Sequence, residues 1–185
     1  MTRTRVVVIG ALAAAGLVAG LLFVFLGGDS NPPVAHVNGQ VIKRDKLDAA
    51  VEHFRKQYEA EGKPFPNEKS SNFRVLQRFV VGLLVYRAEL DQAAKRFGIA
   101  VSNIQVLRAL NTNSEGEEHD TDRFTYDTVK SQIEYERIYA HVTQGISAQT
   151  TAELSARRNA AMSKFVAKLK REAKVRYEPG YEPGP

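Results

Sequence analysis

At 185 residues with a net charge of +5, the chain can hold one domain of moderate size plus accessory segments, and its apolar and charged fractions are those of an ordinary globular protein. A single core is expected. There is no cysteine, which excludes a disulfide framework, a thiolate zinc site, a thiol nucleophile and a lipid-modified cysteine anchor.

Residues 6–26 carry no charge and would span about 31 Å as a helix, enough to cross the hydrocarbon core. Arg3 and Arg5 precede this run and Asp29 follows it, so the positive-inside rule puts the N-terminus in the cytoplasm and the remainder outside, as a single-pass cell-membrane protein. A cleaved signal peptide is the rival reading. Its apolar region would be shorter, and Leu26-Gly27-Gly28 is a poor cleavage site, so an uncleaved signal-anchor is expected.

After a short Pro-containing linker over 29–33, Asn38-Gly39 between two short apolar runs predicts a β-hairpin, because a type I′ turn needs positive φ at both central positions. Such a ribbon is marginal alone and needs covering. From about Arg44 to Ala60, Leu47, Ala50, Val51, Phe54 and Tyr58 fall on one face of a helix, which Gly62-Lys-Pro-Phe-Pro66 ends. A long helix over 73–97 is then the expected hub. Phe73, Leu76, Val80, Leu83, Leu90, Ala94 and Phe97 recur at helical spacing, and residues 79–86 are apolar over most of the circumference. Ser70 or Ser71 offers its N-cap and Gly98 its left-handed stop; Gly82, a poor helix former, suggests close approach of a neighbouring element.

Ser102 and Gln105 have capping-box spacing at the start of a short helix over 103–110. Residues 111–122 are acidic and polar, a solvated loop whose spacing matches no EF-hand. Helices follow over 126–142 and 151–173. The second has Leu154, Ala161, Met162, Phe165, Val166, Leu169 and Ala173 inward, and a basic outer face. Val175-Arg-Tyr177 reads as a brief third strand, and the repeated Tyr-Glu-Pro-Gly after it as a flexible tail over 178–185.

No stretch carries recognisable catalytic chemistry. The four histidines (His36, His53, His119, His141) are scattered without the spacing of a helical metal pair, no phosphate-binding loop is present, and Glu117 and Glu118 lie where nothing would separate their pKa values. Catalytic, cofactor and metal sites are therefore all expected to be absent. Outside residues 1–28 the charge is nearly balanced, with 24 basic and 21 acidic residues, which excludes a nucleic-acid module.

The stretch Val34-Ala-His-Val-Asn-Gly-Gln-Val-Ile42, the amphipathic helix after it, and the apolar helix ending Ala93-Ala-Lys-Arg-Phe-Gly-Ile-Ala-Val-Ser102 together resemble the N-terminal region of the SurA, PrsA and PpiD exported chaperones. The ending Phe165-Val-Ala-Lys-Leu-Lys-Arg-Glu-Ala-Lys-Val-Arg-Tyr177 resembles the segment that returns to that region in these proteins. The resemblance implies a mostly α fold: an N-terminal transmembrane helix, then a helical SurA N-terminal-like peptide-binding domain over 34–177 with a small hairpin or sheet and a long C-terminal helix. Lys43 stands where the family usually carries a capping Ser or Thr, which leaves Asp45 as the substitute cap. Relatives commonly insert a prolyl isomerase domain before the last helix. Here residues 145–150 leave no room for one, since a folded domain needs about 50 residues or more.

The implied function is that of a membrane-anchored extracytoplasmic holdase for unfolded or newly exported polypeptides. Phe54, Tyr58, Phe65, Phe73 and Tyr139 are the candidate client-binding residues. A scaffolding protein that binds one folded envelope partner is the alternative, and a residual isomerase the third.

Overall fold

The computed structural model describes residues 31–113 and 122–183. The chain runs β1 (Pro33–Val37), β2 (Gln40–Lys43), α1 (Arg44–Ala60), α2 (Ser71–Arg96), α3 (Asn103–Asn113), α4 (Arg123–Val142), α5 (Thr151–Glu172) and β3 (Val175–Tyr177). Residues from Pro33 onward form one compact unit. Among the described residues no helix is long and apolar enough to cross a membrane; the span expected over 6–26 lies outside them.

Asn38 and Gly39 adopt φ of 50° and 86°, as the type I′ turn requires, and close the β1–β2 hairpin with Val37 opposite Gln40. β3 supplies the expected third strand. It pairs antiparallel with β1, giving the order β2-β1-β3, so among the described residues the last strand lies beside the first. The first helix departs from expectation at its start: Lys43 occupies the N-cap without a side-chain cap bond. Asp45 sits one residue inside the helix, where its Oδ1 accepts from the Lys46 N–H at 2.7 Å and its charge faces the positive end of the helix dipole.

The hub helix forms as the pattern predicts, and both its ends are closed locally. Ser70 Oγ accepts from the Phe73 N–H at 3.1 Å. At the other end the Ile99 N–H reaches Ala94 O and the Gly98 N–H reaches Lys95 O around Gly98 at φ 69°, a Schellman stop. α2 packs against α1, α4, α5, β1 and β2. Gly82, however, marks no close approach: a Cβ added there would meet nothing within 4 Å.

The expected single core is two clusters strung along α2. The hairpin, α1 and the first half of α2 enclose one, around Val34, Val37, Leu47, Val80 and Val81, which are all essentially inaccessible. The second joins Leu90, Ala93 and Ala94 of α2 to Ile138 of α4 and to Met162 and Leu169 of α5. Of the seven inward positions expected on the last helix, Met162 and Leu169 alone are fully buried; Phe165 and Val166 are half-buried against them, and Leu154, Ala161 and Ala173 stay partly open. The tail is also docked where freedom was expected. The Glu178 N–H donates to Val34 O at 3.0 Å, and Tyr181 packs on the first cluster with its hydroxyl accepting from Arg44 at 2.6 Å.

Candidate functional site

The loop between α1 and α2 contains Pro64, Phe65 and Pro66, and proline's fixed φ and missing N–H keep it from continuing either helix. It therefore stands as a wall beside the first turns of α2. Between them lies an open, mainly apolar groove of about 680 Å³ lined by Tyr58, Pro64, Phe65, Pro66, Asn72, Val75, Leu76 and Phe79. That volume falls in the range of roughly 300 to 1,000 Å³ usual for ligand sites.

Rings stacked edge to face build its floor and wall. Tyr58 meets Phe65 at 5.6 Å between centroids, and Phe65 meets Phe73 at 6.1 Å. The Arg55 guanidinium lies 4.4 Å over the Phe65 ring and pairs with Glu52 and Glu68, which fixes the wall from outside. On the α2 side, Val75 is 63% exposed and Phe79 60%. They sit one turn apart, so two large apolar side chains face solvent together, with Phe79 held from below by Phe54 at 6.0 Å.

The five expected client-binding residues thus separate. Tyr58 and Phe65 line the groove. Phe73 is buried in the first cluster and Phe54 is half-buried against it, in contact with Phe79 and Phe124, so these two support the groove from beneath. Tyr139 belongs to the second cluster, where its hydroxyl bonds Asn159 at 3.2 Å. Val75 and Phe79 line the groove without being among the residues expected from sequence. The apolar run from Phe79 onward is expected to be covered on several sides, whereas on a helix Val75 and Phe79 stand just outside the line Phe73–Leu76–Val80–Leu83 that is covered. An i, i+4 apolar pair beside a Pro-Phe-Pro wall was the available signal.

Elsewhere, charge clusters serve the fold. Asp91 accepts from Lys130 at 2.7 Å and from Lys95 at 2.6 Å; burial raises its carboxyl, but the two lysines outweigh this and hold it below the ordinary range. Asp122 caps α4 through the Thr125 N–H and bonds His53 Nδ1 at 3.0 Å, and these bonds likewise overcome burial to lower it. Glu89 and Glu134 are raised by burial, which Lys170 and Lys130 respectively oppose in part. Among the described residues no group of three or more His, Cys, Asp or Glu could hold a metal ion.

The connection between α4 and α5 spans residues 143–150, with Gly145 at φ 79° turning the chain back, so no domain is inserted there. No curated protein matches the chain. The family model for the SurA-like N-terminal domain matches residues 2–139, three quarters of the chain and every element that builds the groove, and on that match the protein belongs to the SurA-like N-terminal domain family.

Proposed function

We propose that this protein is a membrane-anchored, extracytoplasmic chaperone that holds unfolded or newly exported polypeptides, without catalysis and without a cofactor. The observation that carries the reading is the groove, with Val75 and Phe79 solvent-exposed on one side and the Pro64–Phe65–Pro66 wall on the other. Membership of a chaperone-type family supports it. An apolar, open-ended groove suits a client that presents apolar side chains without a fixed fold, since burying them is non-directional. The uncharged run over 6–26 supports the anchor, and Arg3 and Arg5 support an orientation with the groove outside the cytoplasm.

The test is suppression of aggregation of a chemically unfolded protein by the full chain in detergent, alongside binding of a labelled apolar peptide. Val75→Ser with Phe79→Ser should weaken peptide binding at least tenfold, while the thermal midpoint moves little, because both sites are on the surface. Unchanged binding in this variant would remove the groove from the reading. Prolyl isomerisation of a test peptide should run at the uncatalysed rate. Scaffolding of a folded partner is the second reading, favoured by Ile104 and Leu107, exposed one turn apart on α3; it expects no affinity for unfolded chains.

A further inference from the structure

The charges around the groove do not cancel. From Glu52 to Phe79 the carboxylates Glu52, Glu61 and Glu68 are all committed, Glu52 and Glu68 to Arg55 and Glu61 to Lys63 at 2.5 Å. Lys56, Lys69, Arg74 and Arg78 form no ion pair with any described residue; against them stand Glu59 and the one carboxylate that Arg55, shared by Glu52 and Glu68, leaves over, so the six basic and four acidic residues here carry a net charge of +2. Arg78 and Arg74 precede Phe79 and Val75 by one residue on α2, each about 100° around the helix from its neighbour, so the crest that carries the exposed apolar pair has arginines on its flank. Arg78 is half-buried, its Nε is buried without a hydrogen-bond partner, and it forms no ion pair with any described residue.

We propose that the groove selects apolar segments flanked by acidic side chains, with the apolar residues on Val75, Phe79 and Phe65 and the flanking carboxylates on the cationic rim. This rests on the peptide-holding reading above and adds a client class to it. An anionic lipid surface would meet the same charges. The site is a concavity between a proline wall and a helix, though, and a chain segment can enter it where a flat bilayer cannot.

Three labelled peptides with one apolar centre and Asp, Gln or Lys flanks, titrated against the full chain in detergent at low salt, test this. The Asp-flanked peptide should bind about tenfold more tightly than the Lys-flanked one, the sum of several weak rim pairs, and the gap should close with added salt. Arg74→Glu with Arg78→Glu should narrow or reverse the order. Should that variant fail to fold by circular dichroism, Lys56→Glu with Lys69→Glu, both exposed, serves the same purpose. Equal affinity for all three peptides overturns the inference while leaving the holding function intact; failure of even the Gln-flanked peptide to bind counts against the holding function itself. Binding to phosphatidylglycerol vesicles that Val75→Ser with Phe79→Ser abolishes, with no peptide preference, would replace the peptide by a membrane surface and also overturns it.

Discussion

Asn38 joins three segments far apart in the chain. Its positive φ makes the hairpin turn, its Nδ2 donates to Gln92 of α2 at 2.7 Å, its N–H donates to Lys174 O at 2.9 Å, and its Oδ1 accepts from the Lys174 N–H at 2.8 Å. Gln92 completes the tie by donating to Val37 O. Asn38→Gly keeps the turn but loses the side-chain bonds, and should cost about 1 to 2 kcal/mol in urea unfolding. Asn38→Ala adds left-handed strain and should cost about 1 kcal/mol more. Gly82 is the opposite case: its space is open and its backbone helical, so Gly82→Ala should raise stability by about 1 kcal/mol, read as a higher thermal midpoint.

At the scale of elements, α2 is held by both cores and by buried charge. Glu89 of α2 is nearly inaccessible; Lys170 of α5, Tyr86 of α2 and Tyr177 of β3 are the groups that feel its charge. A carboxyl raised on folding contributes stability that is fully present below its unfolded pKa, about 4.3, and is lost as pH rises through the raised folded value. Glu89→Gln removes this dependence, so the variant should gain on the native protein between pH 4 and pH 8 in denaturation midpoint. Asp91 and Asp122 run the other way. Their depressed carboxyls contribute stability above about pH 3.9 that is lost as pH falls through their folded values, so acid should loosen the contacts of α4 with α2 and α1.

At the scale of the whole compact unit, β3 and the residues just after it close on β1. Deleting residues 150–185 removes Met162 and Leu169 from the second core and takes β3, Tyr177 and Tyr181 from the cover of the first. Full burial of a large side chain contributes about 1.5 to 3 kcal/mol, against about 5 to 15 kcal/mol for a typical domain. The truncated protein should therefore lose its cooperative urea transition or show it at a much lower midpoint. An unchanged midpoint would make α5 an appendage.

The elements were legible because their signals are local. Asn38-Gly39, the Ser70 cap, the Ser102–Gln105 capping box and the Gly98 stop each satisfy backbone groups within a few residues, and the helical repeat of α2 needs no partner to be visible. The missing space for a domain between α4 and α5 was likewise a matter of chain length. What periodicity could not assign was which apolar face of α2 is covered and which is left open. Phe73 and Phe79 are equally apolar in sequence, yet one is buried and the other is 60% exposed, because the loop through Pro64 and Pro66 and the helices α1 and α4 cover only part of the circumference. The same applies to the division into two cores and the docking of Tyr181: burial is a property of what arrives from elsewhere in the chain, and only tertiary packing decides it.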